Sequence, residues 1–168
     1  MGVDPDTKDY TKETPLINMC KKFDRNEVIL DIVQLLLDHG ADKNVDSLYG
    51  NTPLIVASYT GNVDVIELLV KNECDVNLKG KQTLNTALHE AICATSSNKV
   101  IESLLKHGLN PNAVNGREET PLHMACSEGN KSVVKMLLDG DADPDFQNYY
   151  GNTPLHVACK RNRSDIIN

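Results

Sequence analysis

The chain has 168 residues, a formal net charge of −7 and no tryptophan. That length suffices for one domain with its own core, and no apolar run is long enough to cross a bilayer. The negative balance argues against nucleic acid and anionic membranes as primary partners, because phosphate binding needs clustered Lys and Arg.

Residues 1–13 read as a lead-in. Met1–Asp6 carries no basic-then-apolar signal pattern, and Asp6 stands where a myristoylation pattern wants Ser or Thr. The expectation is a soluble chain of the cytoplasm or nucleus.

The first predicted helix opens at Thr14-Pro15-Leu16-Ile17, and the same phrase returns four times. The copies are Thr52-Pro53-Leu54-Ile55, Thr86-Ala87-Leu88-His89, Thr120-Pro121-Leu122-His123 and Thr153-Pro154-Leu155-His156. Thr is a good N-cap, and Pro just after it fits the first turn, where its missing N–H costs nothing. A second phrase follows each of the first four. Ile32–Asp38, Val65–Val70, Val100–Leu105 and Val133–Leu138 place apolar residues at helical spacing. Gly40 and Gly108 suit the left-handed turn that ends the second helix. In the other two copies Glu73 and Asp141 stand there. Glu tolerates that conformation poorly, so an adjustment near Asn72-Glu73 is expected, with Asn72 taking the strained role. The stretches before each Thr-Pro are rich in Asp, Asn and Gly, as turns require.

Two insertions break the period: about five residues around Lys21–Glu27, read as a tolerated surface insertion, and one near Ser96-Ser97. The fifth copy stops at Asn168 inside its second helix, so a fragment of a longer protein is expected.

A step near 33 residues carrying Thr-Pro-Leu-His resembles the ankyrin-repeat family, from about Asp9 to the C-terminus. The resemblance implies an all-α solenoid of stacked helix–turn–helix units with hairpin-like turns. Residues 1–13 would lead in, and 14–168 would form the ankyrin-repeat domain. It also implies a protein-interaction module, namely an adaptor, scaffold or inhibitor, monomeric by itself, with no catalysis, cofactor or metal. The alternative is the regulatory or substrate-recruiting part of a larger enzyme or ubiquitin-ligase receptor.

Family partners contact the turn tips and the ends of the inner helices. Here those positions hold Tyr10, Leu48, Tyr49, Tyr59, Arg117, Tyr149, Tyr150, Lys160 and Arg161. Tyr supplies large contact area at low entropy cost. Lys160, Arg161 and Arg163 suit an acidic partner segment. The Asp75-Val76-Asn77 turn after Leu69 resembles the ankyrin pattern hydroxylated on Asn, with Asn77 as acceptor.

The histidines and cysteines read as structural. In the family the His of the tetrapeptide ties the turn to the helix. His39 and His107 precede a helix-ending Gly, where His favours the helix C-terminus. His123-x-x-Cys126 and His156-x-x-Cys159 have metal-ligand spacing, but they fill repeat slots. Cys20, Cys74, Cys126 and Cys159 read as small buried apolar residues, and Cys93 as exposed. Asp139-x-Asp141-x-Asp143 lacks the Gly and Glu of a calcium loop where Pro144 and Tyr150 stand.

Overall fold

The computed structural model describes residues 3–23, 26–94 and 97–167. Asp24 and Arg25 of the first insertion, Ser96 of the second, and Asn168 lie outside that set. The described residues form helices joined by turns, with no strand. The helices come in pairs: α1 (Pro15–Cys20) with α2 (Glu27–Asp38), α3 (Pro53–Thr60) with α4 (Val63–Lys71), α5 (Ala87–Cys93) with α6 (Asn98–Lys106), α7 (Pro121–Glu128) with α8 (Lys131–Asp139), and α9 (Pro154–Lys160) with α10 (Ser164–Ile167).

Odd-numbered helices pack on one another in an inner row, and even-numbered helices in an outer row. The tetrapeptide explains the stacking. Thr14, Thr52, Thr120 and Thr153 cap the inner helices, each hydroxyl accepting from the N–H three residues on. Asn26, Asn62 and Asn130 do the same for outer helices. Leu16, Leu54, Leu88 and Leu122 are buried between repeats, alongside Val33, Ile66, Leu69, Ile101, Leu104 and Leu137. Burying one such side chain contributes about 2 kcal/mol. None of these short helices would persist without it.

Before each Thr lies a tight turn, here called a finger. Its base closes with main-chain bonds such as Ser47 N–H to Asn51 O and Asn148 N–H to Asn152 O. Side chains brace it from within. Asp9, Asn115 and Asn148 each accept two main-chain N–H groups of their own finger, and Ser47 accepts one. The residue two before each Thr has positive φ throughout: Lys12, Gly50, Leu84, Glu118 and Gly151. A Cβ on Gly50 would also meet Lys81 Cβ at 2.5 Å.

Two expectations are corrected. Asn72 stays at φ −88°, and Glu73 itself takes φ +60°. The helix exit places the left-handed residue one past the cap whatever its side chain, as Gly40 and Gly108 also show. Cys159 is exposed, unlike Cys20, Cys74 and Cys126. In earlier repeats the next pair covers that slot, and no further pair covers α9 among the described residues; Leu155 is 54% exposed for the same reason. His107 stands at the C-cap of α6, as the sequence implies, and its backbone N–H donates to Ser103 O. Its Nε2 reaches Glu67 Oε2 at 2.7 Å, because the neighbouring repeat offers a charged acceptor.

Candidate partner-binding face

The fingers and the ends of the inner helices form one face. Tyr10, Tyr49, Tyr59, Tyr149 and Tyr150 are all exposed on it, with Leu48, Arg117, Lys160 and Arg161. They do not form a single cluster. Tyr49 and Tyr59 line a cavity of about 400 Å³ together with Lys21, Phe23, Ser47, Asn51, Val56, Thr60 and Glu90. Tyr149 and Tyr150 pack edge to face at 5.3 Å on the last finger. Arg117 lines a separate hollow with Cys93 and Glu119. Lys160 lies at the end of the inner row, and its Nζ donates to Asn152 Oδ1. The main chain also fixes these tips: Leu48 N–H donates to Glu13, and Tyr149 N–H to Arg117 O.

The sequence reading missed Phe23 and Glu90 among the members of the Tyr49–Tyr59 cavity. Phe23 lies in the insertion assigned to tolerated surface, and the structure puts it in the cavity wall. Its signal was an aromatic in a polar loop. Glu90 gave no signal, because its place depends on a neighbouring repeat.

The electrostatics divide the face. Lys21 Nζ pairs with Glu13 Oε1 at 2.8 Å, and that carboxylate is almost wholly buried. Glu90 accepts from Asn85 Nδ2 and has no ionic partner among the described residues. Further along, shielding of the sulfur and the carboxylates of Glu90, Glu128 and Glu119 push the Cys93 thiol up to about 11. Such a thiol is a poor nucleophile.

Histidines hold the face in register. His89 Nδ1 accepts from Thr86 N–H, which leaves Nε2 to donate to Glu119 O of the next finger at 2.9 Å. His123 repeats this with Thr120 and Asn152. Both are held as neutral imidazoles mainly by burial, His89 down to about 4. On the outer row, Ser103 Oγ and His107 Nε2 both bond Glu67, one to each oxygen. No proton passes from Ser to His in that arrangement, since each ends on the carboxylate. No group of three or more His, Cys, Asp or Glu is placed to hold a metal among the described residues. Nor is any helix there long and apolar enough to cross a membrane.

A family model for ankyrin repeats matches the chain three times, over residues 1–80, 25–115 and 88–168. The chain belongs to the ankyrin repeat family. Ankyrin repeats are protein-interaction modules, which fits a face of exposed fingers. This ankyrin chain is 34% identical over 125 residues to the ankyrin repeat protein FPV031 of fowlpox virus, covering 67% of the chain and 36% of that protein. It is 34% identical to the transient receptor potential channel pyrexia of Drosophila melanogaster, over 74% of the chain and 12% of the channel. It is 44% identical to palmitoyltransferase ZDHHC17 of Danio rerio, over 44% of the chain and 12% of that enzyme. The ankyrin chain thus spans well under half the length of each of these relatives.

Proposed function

We propose that this chain captures a partner protein as an adaptor, scaffold or inhibitor, through its fingers and the concave, inner-helix face. The observation that carries the reading is the placement of all five tyrosines, exposed and on one face. Exposed aromatics at that density belong to binding surfaces more than to solvated ones. The module acts as a monomer in the cytoplasm or nucleus, and its target is protein rather than nucleic acid, membrane or metal. The test is affinity capture from lysate, with wild type compared with Tyr49→Ala/Tyr59→Ala/Tyr149→Ala after circular dichroism shows equal helicity. A protein held by the wild type and lost by the variant supports the reading. An identical catch by both sinks the choice of face.

A second reading rests on length. The relatives extend far beyond the matched region, and one is named as a palmitoyltransferase. In this reading the repeats recruit or regulate for an enzyme or ubiquitin-ligase receptor encoded in the same chain. Reading the open frame on both sides of these residues decides it.

Asn77 is exposed in its turn, with its N–H donating to Asp75 Oδ1. It is the proposed acceptor for asparaginyl hydroxylation. Intact-peptide mass spectrometry of protein expressed in eukaryotic cells would show one added oxygen there, or rule the site out.

A further inference from the structure

The cavity at Tyr49 and Tyr59 has a composition that selects its occupant. Three of its lining side chains are aromatic: Phe23, Tyr49 and Tyr59. All three are exposed, so their ring faces are available. Two lining side chains are charged, Lys21 and Glu90. Lys21 is neutralised by Glu13 at 2.8 Å, so the unbalanced charge is the carboxylate of Glu90. Aromatic faces beside an unpaired carboxylate attract a cation twice over, through the ring quadrupole and through the formal charge. A neutral side chain gains only the apolar contact, and an anion meets repulsion.

Further carboxylates lie along the same face. Besides Glu90, Glu119 lines the hollow of Cys93 and Arg117, and Glu128 ends α7, the next inner helix. None of the three has a cationic partner within ion-pair distance among the described residues. The middle of the inner-helix face therefore presents an aromatic cavity with one unpaired carboxylate, Glu90, and two further carboxylates beyond it that make no ion pair among the described residues. Of the basic residues singled out in the sequence, Arg117 shares the Glu119 hollow, and Lys160 and Arg161 lie at the far end of the row.

We propose that this face binds a basic, extended segment of the partner protein, with one arginine or lysine side chain entering the Phe23–Tyr49–Tyr59–Glu90 cavity and flanking basic residues meeting Glu119 and Glu128. The proposal rests on the interaction reading above and adds the chemistry of the partner. Arginine suits the cavity better than lysine, because its planar guanidinium stacks on a ring while bonding a carboxylate.

The test is a ¹H–¹⁵N titration of the intact chain with the capped pentapeptide Ala-Lys-Arg-Lys-Ala. A control peptide carries citrulline, the uncharged isostere, in place of arginine. The expected result is amide shifts centred on Tyr49, Tyr59 and Glu90, with the citrulline peptide binding at least about fivefold more weakly, as loss of a desolvated cation–π and carboxylate contact implies. Glu90→Gln keeps the acceptor for Asn85 Nδ2 and should remove most of that preference. Tyr59→Leu keeps the apolar wall and should weaken the arginine peptide only. Equal binding of the two peptides, shifts confined elsewhere, or an unchanged preference in a folded Glu90→Gln chain would overturn the proposal. So would tighter binding of Ala-Glu-Glu-Glu-Ala at this cavity, which would make Lys21 the recognising charge. If the peptides fail while tyrosine-dependent capture of a protein persists, only the partner chemistry is wrong. If capture itself ignores the tyrosines, the interaction reading fails with it.

Discussion

His89 Nε2 donates to the main-chain oxygen of Glu119 across 2.9 Å, so one imidazole joins the start of α5 to the finger of the following repeat. The other ring nitrogen accepts from Thr86 N–H at 3.2 Å. Removing the ring breaks both bonds and opens a buried cavity. His89→Ala is expected to lower unfolding free energy by about 3 kcal/mol, read from urea denaturation. The exposed His156→Ala should cost far less, since its ring is not buried.

The same ring makes stability depend on pH. Burial holds His89 down at about 4 in the folded chain, against an ordinary value of 6.5. Below pH 6.5 the unfolded chain takes up a proton that the folded chain refuses, so stability falls as pH falls towards 4. The loss from this group approaches about 3 kcal/mol once pH is below 4. His123 is shifted the same way by the same cause and adds to the slope. Ile17 and Ile55 fill this slot in the first two repeats. His89→Ile should therefore give a flatter stability profile between pH 6.5 and 4 in denaturation series.

Left-handed residues offer the opposite change. Glu73 at φ +60° and Leu84 at φ +56° each carry a Cβ in a conformation that suits glycine. Glu73→Gly and Leu84→Gly are each expected to raise stability by up to about 1 kcal/mol, after the entropy that glycine adds to the unfolded chain. Gly50→Ala should lower it, because the added methyl meets Lys81 as well as an unfavourable φ. Thermal melts of the three variants check the signs.

Glu67 ties the outer helices of two repeats through Ser103 and His107. Its carboxyl is held below the usual range, first by the Ser103 hydroxyl and against a desolvation cost. The Glu67 side chain is 44% exposed, so solvent screens the pair. A double-mutant cycle with Glu67→Gln and His107→Asn should give a coupling below about 1 kcal/mol that shrinks further in high salt. A larger value would mean the pair is more desolvated in solution.

The repeat is plain in the sequence because its causes are local. Thr caps, Pro in the first turn and Leu at a fixed offset recur within a few residues of one another, so α1, α3, α7 and α9 are legible by inspection. The slots of Leu16, Leu54, Leu88 and Leu122 follow from stacking those units. The exposure of Tyr49 and Tyr59 was legible for the same reason. What they border was not. Phe23, Tyr59 and Glu90 come from three successive repeats, and periodicity assigns slots without saying which side chains meet across them. The Glu67 partner of His107 was not legible on similar grounds, since it lies 40 residues away. Glu73 and Asn72 were confused because propensity favoured Asn, whereas helix geometry fixes the position by count.

Main-chain bonds run from finger to finger: Lys81 N–H to Gly50 O, Gly116 N–H to Thr83 O, and Tyr149 N–H to Arg117 O. Each joint is narrow. It resists separation along the bond far more than rotation about it, much as the pins of a folding screen hold its panels. The distance between those neighbouring tips is thus held by main-chain bonds. A ligand touching two of these adjacent tips meets a rigid ruler. An extended segment laid along these fingers, such as the basic one proposed above, therefore meets contact points at set intervals.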